Sequence, residues 1–140
     1  MESLIDQIKR HEGLRLKPYH CPSGKLTIGY GRNLEANGIY NDEADLMLRN
    51  DIERCIFELS STFPWTNKLD IARREVLINM CFNLGINGLA KFKSTLKAIE
   101  EGNYENASSY MLDSLWAKQV GDRALELANQ MMTGKYQEDK

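Results

Sequence analysis

The fold class turns on Leu14-Arg15-Leu16-Lys17-Pro18-Tyr19-His20-Cys21-Pro22-Ser23-Gly24-Lys25-Leu26-Thr27-Ile28-Gly29-Tyr30-Gly31. Leu14 and Leu16 alternate with Arg15 and Lys17, which is strand periodicity, and Pro18 lacks the amide that a helix interior needs. Cys21-Pro22-Ser23-Gly24-Lys25 has the composition of a turn, and Leu26-Thr27-Ile28-Gly29-Tyr30 reads as a strand returning from it. The stretch is therefore predicted to be a β-hairpin. Upstream, Ser3 with Asp6 three residues on resembles a capping box, and Leu4, Ile5 and Ile8 share one face before Gly13 stops the run, so a short amphipathic helix comes first. Downstream, Asn37-Gly38 marks a turn, after which Asn41 or Asp42 is expected to cap a helix through Leu46, Ile52, Cys55, Ile56 and Leu59.

Phe63-Pro64-Trp65-Thr66 interrupts that helix. Leu69, Ala72, Val76, Leu77, Met80, Cys81 and Leu84 then recur at three- and four-residue steps up to Gly85, over a wide apolar arc that predicts the central core helix. Shorter helices follow between glycines, the last carrying Ala124, Leu127, Ala128 and Met131 with Gly134 just past its end. The pattern is α+β: a first helix, a small β-lobe at about residues 13–41, and an all-helical lobe of residues 1–12 and 42–140 within a single domain.

The chain has 140 residues, and roughly 100 to 200 residues make one domain, which leaves no room for a second catalytic module. With 42% hydrophobic and 27% charged residues it can bury a core, which excludes a disordered tail or a disulfide miniprotein. Apolar runs such as Val76-Leu77-Ile78 stop far short of the ~18 residues that span a bilayer, and the opening Met-Glu-Ser-Leu-Ile-Asp lacks the basic region of a signal peptide. A cytoplasmic origin and no stable membrane association are expected. A net charge of −2 offers no broad attraction for nucleic acid. Cys21, Cys55 and Cys81 are odd in number and lack CxxC spacing, as free thiols do, and with only His11 and His20 no zinc-site spacing exists; no metal or cofactor is expected.

Three polar residues stand out. Positions 4, 8 and 12 put Glu12 on the stripe of Leu4 and Ile8, at a helix C-terminus where burial and the macrodipole both raise a carboxyl pKa, as suits a general acid. The same spacing also allows a frayed helix end with Glu12 in solvent or paired with Arg15. Cys21 lies in the hairpin turn and Thr27 on the returning strand. Taken singly, these two read as a small buried side chain and a strand former; together with Glu12 they form a set that a folded-back hairpin gathers.

His11-Glu12-Gly13-Leu14-Arg15-Leu16-Lys17-Pro18-Tyr19 and Gly24-Lys25-Leu26-Thr27-Ile28-Gly29-Tyr30-Gly31-Arg32 resemble the phage-type lysozymes, family 24 of the glycoside hydrolases. The likeness continues through Leu77-Ile78-Asn79-Met80-Cys81-Phe82-Asn83-Leu84-Gly85 and from Trp116 to Arg123. The family's catalytic pattern of Glu, eight residues, Asp or Cys, five residues, Thr is matched by Glu12, Cys21 and Thr27. The resemblance implies a lysozyme-like fold with a cleft between β-lobe and helical lobe, and hydrolysis of the β-1,4 bond between N-acetylmuramic acid and N-acetylglucosamine in peptidoglycan. Glu12 would be the acid, and Cys21 with Thr27 would hold the attacking water, with inversion where the carboxylate form of the family is concerned. Phe82 and Thr95 would contact substrate, and Arg123 matches an arginine placed beside the catalytic glutamate.

Position 21 is a thiol where the carboxylate form has Asp; at a reference pKa of ~8.5 it would be mostly neutral at pH 7. The segment from Arg32 to Asn41 is shorter than in T4-type members, so part of the β-lobe is expected to be missing. Three function classes follow: a hydrolase, which needs acid and water; a lytic transglycosylase, which closes a 1,6-anhydro ring without water; and a silent wall-binding module, which needs neither. The hydrolase leads, as an endolysin acting as a monomer in the host cytoplasm until a holin releases it to the wall.

Overall fold

The structure, a computed structural model, describes residues 1–136. Its chain divides into two units, Met1–Met47 and Leu48–Lys140. In the first, Ser3 caps helix α1 (Leu4–Glu12) by accepting the Asp6 amide at 3.1 Å, and Gly13 ends it at φ 71°, its amide donating to the Lys9 carbonyl. The expected hairpin is present as β1 (Arg15–His20) antiparallel to β2 (Leu26–Gly29), with Tyr19 opposite Thr27 and His20 opposite Leu26. The sheet goes one strand further than the hairpin reading. β3 (Arg32–Asn33) pairs with the other edge of β2, giving the order β1-β2-β3. Asn37-Gly38 is the end of a one-turn helix, α2 (Leu34–Asn37), capped by the Asn33 side chain.

Helix α3 (Asn41–Thr62) begins at the predicted place but not with the predicted cap: Asn41 already lies inside it, and the Glu43 carboxylate accepts the Tyr40 amide at 2.8 Å. The same carboxylate takes two hydrogen bonds from Arg32, at 2.8 and 2.7 Å, while Arg32 also donates to the Gly38 carbonyl. These contacts tie β3 to the start of α3. The first helix departs most from expectation. Its stripe of Leu4, Ile8 and Glu12 is not buried; Leu4 is 69% and Ile8 44% exposed. Periodicity reports an amphipathic face, not whether another element covers it.

The second unit holds the apolar core. A 3-10 helix (Pro64–Lys68) interrupts the helices where Pro64 was expected to, and Asp70 then caps α4 (Ile71–Ala90). Val76, Leu77, Met80 and Cys81 are all buried, as the apolar arc predicts, and the helix breaks at Gly85, whose φ of 74° and ψ of 162° leave helical space. After α5 (Lys93–Glu100), α6 (Tyr104–Leu112) and α7 (Leu115–Val120), helix α8 (Asp122–Thr133) ends at Gly134 in the left-handed conformation. Ala124, Leu127, Ala128 and Met131 form its buried face, and α8 packs on α4, α6 and α7. Two buried polar groups of this helix bundle are paired: Ser108 donates to the Ala128 carbonyl at 2.9 Å and Gln130 to the Ala72 carbonyl at 2.8 Å. Among the described residues no helix is long and apolar enough to cross a membrane.

Candidate active site

The turn between β1 and β2 places Cys21. Its amide donates to the Lys25 carbonyl at 3.0 Å, and Gly24, at φ 82°, returns its own amide to the Cys21 carbonyl at 2.8 Å. A positive φ is readily adopted only by glycine, so the turn needs Gly24 to close. The half-buried Cys21 sulfur lies 3.1 Å from the Ser23 hydroxyl. This contact, backbone hydrogen bonding at Lys25 and Ser23, and the Thr27 hydroxyl pull the thiol pKa down to about 7, against a smaller opposing effect of burial. The expected thiol had an ordinary pKa; here it is lowered, so its charged form is more accessible near neutral pH than in an unperturbed cysteine. Donors aimed at sulfur favour its charged form, and here they outweigh desolvation.

Thr27 sits mid-sheet between Tyr19 and Asn33 and is only 3% exposed. Its hydroxyl donates to the Lys25 carbonyl at 2.8 Å and also faces the Cys21 sulfur. That bond uses the one proton of the hydroxyl, while the oxygen keeps acceptor capacity of its own. Cys21 and Thr27 flank Lys25, whose carbonyl accepts from the Cys21 amide and from the Thr27 hydroxyl.

Glu12, the last residue of α1, is exposed and has no ion pair with Arg15 among the described residues; the Arg15 guanidinium lies instead over the Tyr19 ring. Its carboxylate is seated against the backbone at Gly31, where an added Cβ would come within 2.8 Å of Oε2. Lys9 reaches the same turn, its ammonium 5.4 Å from the centre of the Tyr30 ring. The acid therefore meets the turn that follows the strand carrying Thr27. Gly31 and Ser23 were not singled out in the sequence; glycines at 29 and 31 flanking Tyr30 were the signal for the first, and a hydroxyl two residues after Cys21 for the second.

The remaining candidates lie in the second unit. Arg123 donates to Asn79 Oδ1 through Nη2 at 2.6 Å, and both line a hollow of about 350 Å³ together with Phe82, which is 44% exposed. Thr95 borders a different hollow of about 560 Å³ with Phe92, Tyr110 and Trp116, and is itself only 3% exposed. Phe82 and Thr95 thus do not share one recess. Trp116 is fixed by its indole N–H on Asn83 Oδ1 at 2.7 Å and by the edge of Phe92. Among the described residues no three His, Cys, Asp or Glu side chains converge as metal ligands.

Residues 9–131 match the family described as phage lysozyme. The chain belongs to the phage lysozyme family. It is 28% identical to the probable T4-type lysozyme 2 of Dictyostelium discoideum, across all of this chain and 99% of that one. To the endolysin of Acyrthosiphon pisum secondary endosymbiont phage 1 it is 32% identical, over 83% of this chain and 80% of that protein. It is also 30% identical to the pre-baseplate central spike protein of Enterobacteria phage T4, over 94% of this chain but only 28% of the spike protein's length. Family and relatives make this a lysozyme-type enzyme of the endolysin kind, with peptidoglycan as its substrate.

Proposed function

We propose that this lysozyme hydrolyses the β-1,4 bond between N-acetylmuramic acid and N-acetylglucosamine. In this reading Glu12 protonates the leaving oxygen, while Cys21 and Thr27 hold and polarise a water that attacks the anomeric carbon from the opposite face, with inversion. The observation that carries it is the Lys25 carbonyl shared by the Cys21 amide and the Thr27 hydroxyl, with Glu12 seated at Gly31 in the turn after that strand. A thiol whose pKa is lowered to about 7 supplies, as thiolate, the negative charge that the carboxylate form of the family draws from aspartate. Phe82 and Thr95 as substrate contacts, and Arg123 as the arginine supporting the acid, belong to the same reading and rest on the family resemblance. Release to the wall by a holin rests on it too, and the single lysozyme-like domain over residues 1–140, the monomer and a cytoplasmic origin complete the reading.

A water-holding pair favours hydrolysis over ring closure to a 1,6-anhydro sugar, which uses no water. Mass spectrometry of the muropeptides released from purified peptidoglycan tests this directly, because reducing ends carry one water more than anhydro ends. Reducing N-acetylmuramic acid ends are expected. Anhydro ends would make the enzyme a lytic transglycosylase, reducing N-acetylglucosamine ends would move the cleaved bond, and no release would leave a wall-binding module.

A further inference from the structure

Ser23 is exposed, takes no part in the sheet ladder, and has its hydroxyl 3.1 Å from the Cys21 sulfur. We propose that Ser23 is a positioning residue for the lysozyme reaction: its hydroxyl donates to Cys21 Sγ and holds the sulfur beside Thr27, where the attacking water is taken. The inference rests on the reading of Cys21 as a water-holding group and adds the residue that sets its direction and charge.

The turn explains why position 23 can do this. Cys21 and Ser23 lie two residues apart in a loop closed by the Gly24 amide on the Cys21 carbonyl and the Cys21 amide on the Lys25 carbonyl, so both side chains stay on the loop that projects beyond the last β1–β2 pair, His20 with Leu26. Ser23 is the largest contributor to the lowered pKa of the thiol, ahead of the Lys25 and Ser23 backbone and of Thr27. The titratable and charged groups on the surrounding elements are Arg15, Lys17, Tyr19 and His20 on β1, Lys25 in the turn, Arg32 on β3 and Glu35 on α2. Glu35 is engaged by the Leu26 amide at 2.9 Å, and the sulfur's partners are hydroxyls and backbone, not charged side chains. The thiolate is therefore stabilised by directed donors, which also fix where its lone pairs point.

The alkylation rate of the native enzyme with iodoacetamide, measured against pH, reads the Cys21 ionisation without any assumption about catalysis, because Cys55 and Cys81 are buried at 4% and 1% exposure. Cys21→Ser supplies the blank. The midpoint is expected at about 7 in the wild type. In Ser23→Ala it should rise by about one pH unit or more, with roughly a tenfold fall in kcat/KM at pH 6, because that rise removes about nine-tenths of the thiolate present there. Ser23→Thr, which keeps the hydroxyl, should restore both. An unmoved midpoint in Ser23→Ala overturns the role of Ser23 and leaves the reading of Cys21 standing. A moved midpoint with an unmoved pH–activity profile overturns both, since the thiolate would then be idle in the reaction.

Discussion

The Glu12 carboxylate and the Cys21 sulfur answer to different physics. Glu12 is placed by a helix end and a glycine that leaves it room; Cys21 is tuned by the donors around it. Glu12→Gln keeps the shape and removes the proton, so lysis of purified walls should fall by about 10² to 10⁴ with the melting temperature unchanged. A loss under tenfold would place the acid elsewhere. For Cys21, ionisation should leave a limb at about 7 in the pH–activity profile, because the sulfur below that pH is protonated and neutral. Cys21→Asp moves the ionisation toward ~3.9, so the limb should vanish and activity at pH 6 should equal or exceed that of the wild type. A limb that stays in Cys21→Asp would show that a group other than Cys21 sets it. If the sulfur instead attacked carbon, double displacement would retain configuration, so the α-anomer as first product is expected and a β-anomer would mark a covalent thioglycoside.

At the scale of elements, legibility followed length and punctuation. The stretch up to Gly85 in α4 and the end of α8 at Gly134 were readable because a wide apolar stripe ran into a residue that adopts positive φ. Two-residue β3 and four-residue α2 are shorter than any period that could announce them. The catalytic pattern was visible as spacing, whereas the lowered pKa of Cys21 was not, since spacing says nothing of where hydroxyls and amides in a turn point. The turn from β2 to β3 offers a test with an internal control. Gly31 and Gly24 both have φ near +80°, so alanine at either is strained, but only at Gly31 does the new Cβ meet the Glu12 carboxylate; at Gly24 nothing lies within 4 Å. Both substitutions should lower stability by about 1 kcal/mol or more. Gly31→Ala alone should also cost on the order of a hundredfold in activity through a displaced acid. Equal activity losses in the two variants would show that the seat at Gly31 does not position Glu12.

Across the whole molecule, the two units are held by different forces. From Leu48 onward, Leu59, Leu77, Met80, Met111 and Met131 are fully buried, and truncation of Leu77 to alanine should cost about 2 to 5 kcal/mol. Within Met1–Met47 only Thr27 is buried among the described residues, so that unit leans on its ladder, its caps and the Arg32–Glu43 pair. The two hydrogen bonds from Arg32, with a further one from the Tyr40 amide, hold the Glu43 carboxyl down to about 2, from an ordinary 4.5. A carboxyl lowered on folding contributes stability that is fully present above 4.5 and is lost as pH falls toward 2. Hydrogen-exchange protection factors, corrected for the intrinsic rate at each pH, should therefore drop between pH 6 and pH 3 in β3 and the first turns of α3. Those of the α4 and α8 amides should hold through the same interval. Glu43→Gln cannot titrate, so it should start with lower protection in β3 at pH 6 and lose less on acidification. If wild type and Glu43→Gln lost protection equally, the acid sensitivity of the first unit would lie in other carboxylates, and the Arg32–Glu43 pair would be a surface contact of little consequence to stability.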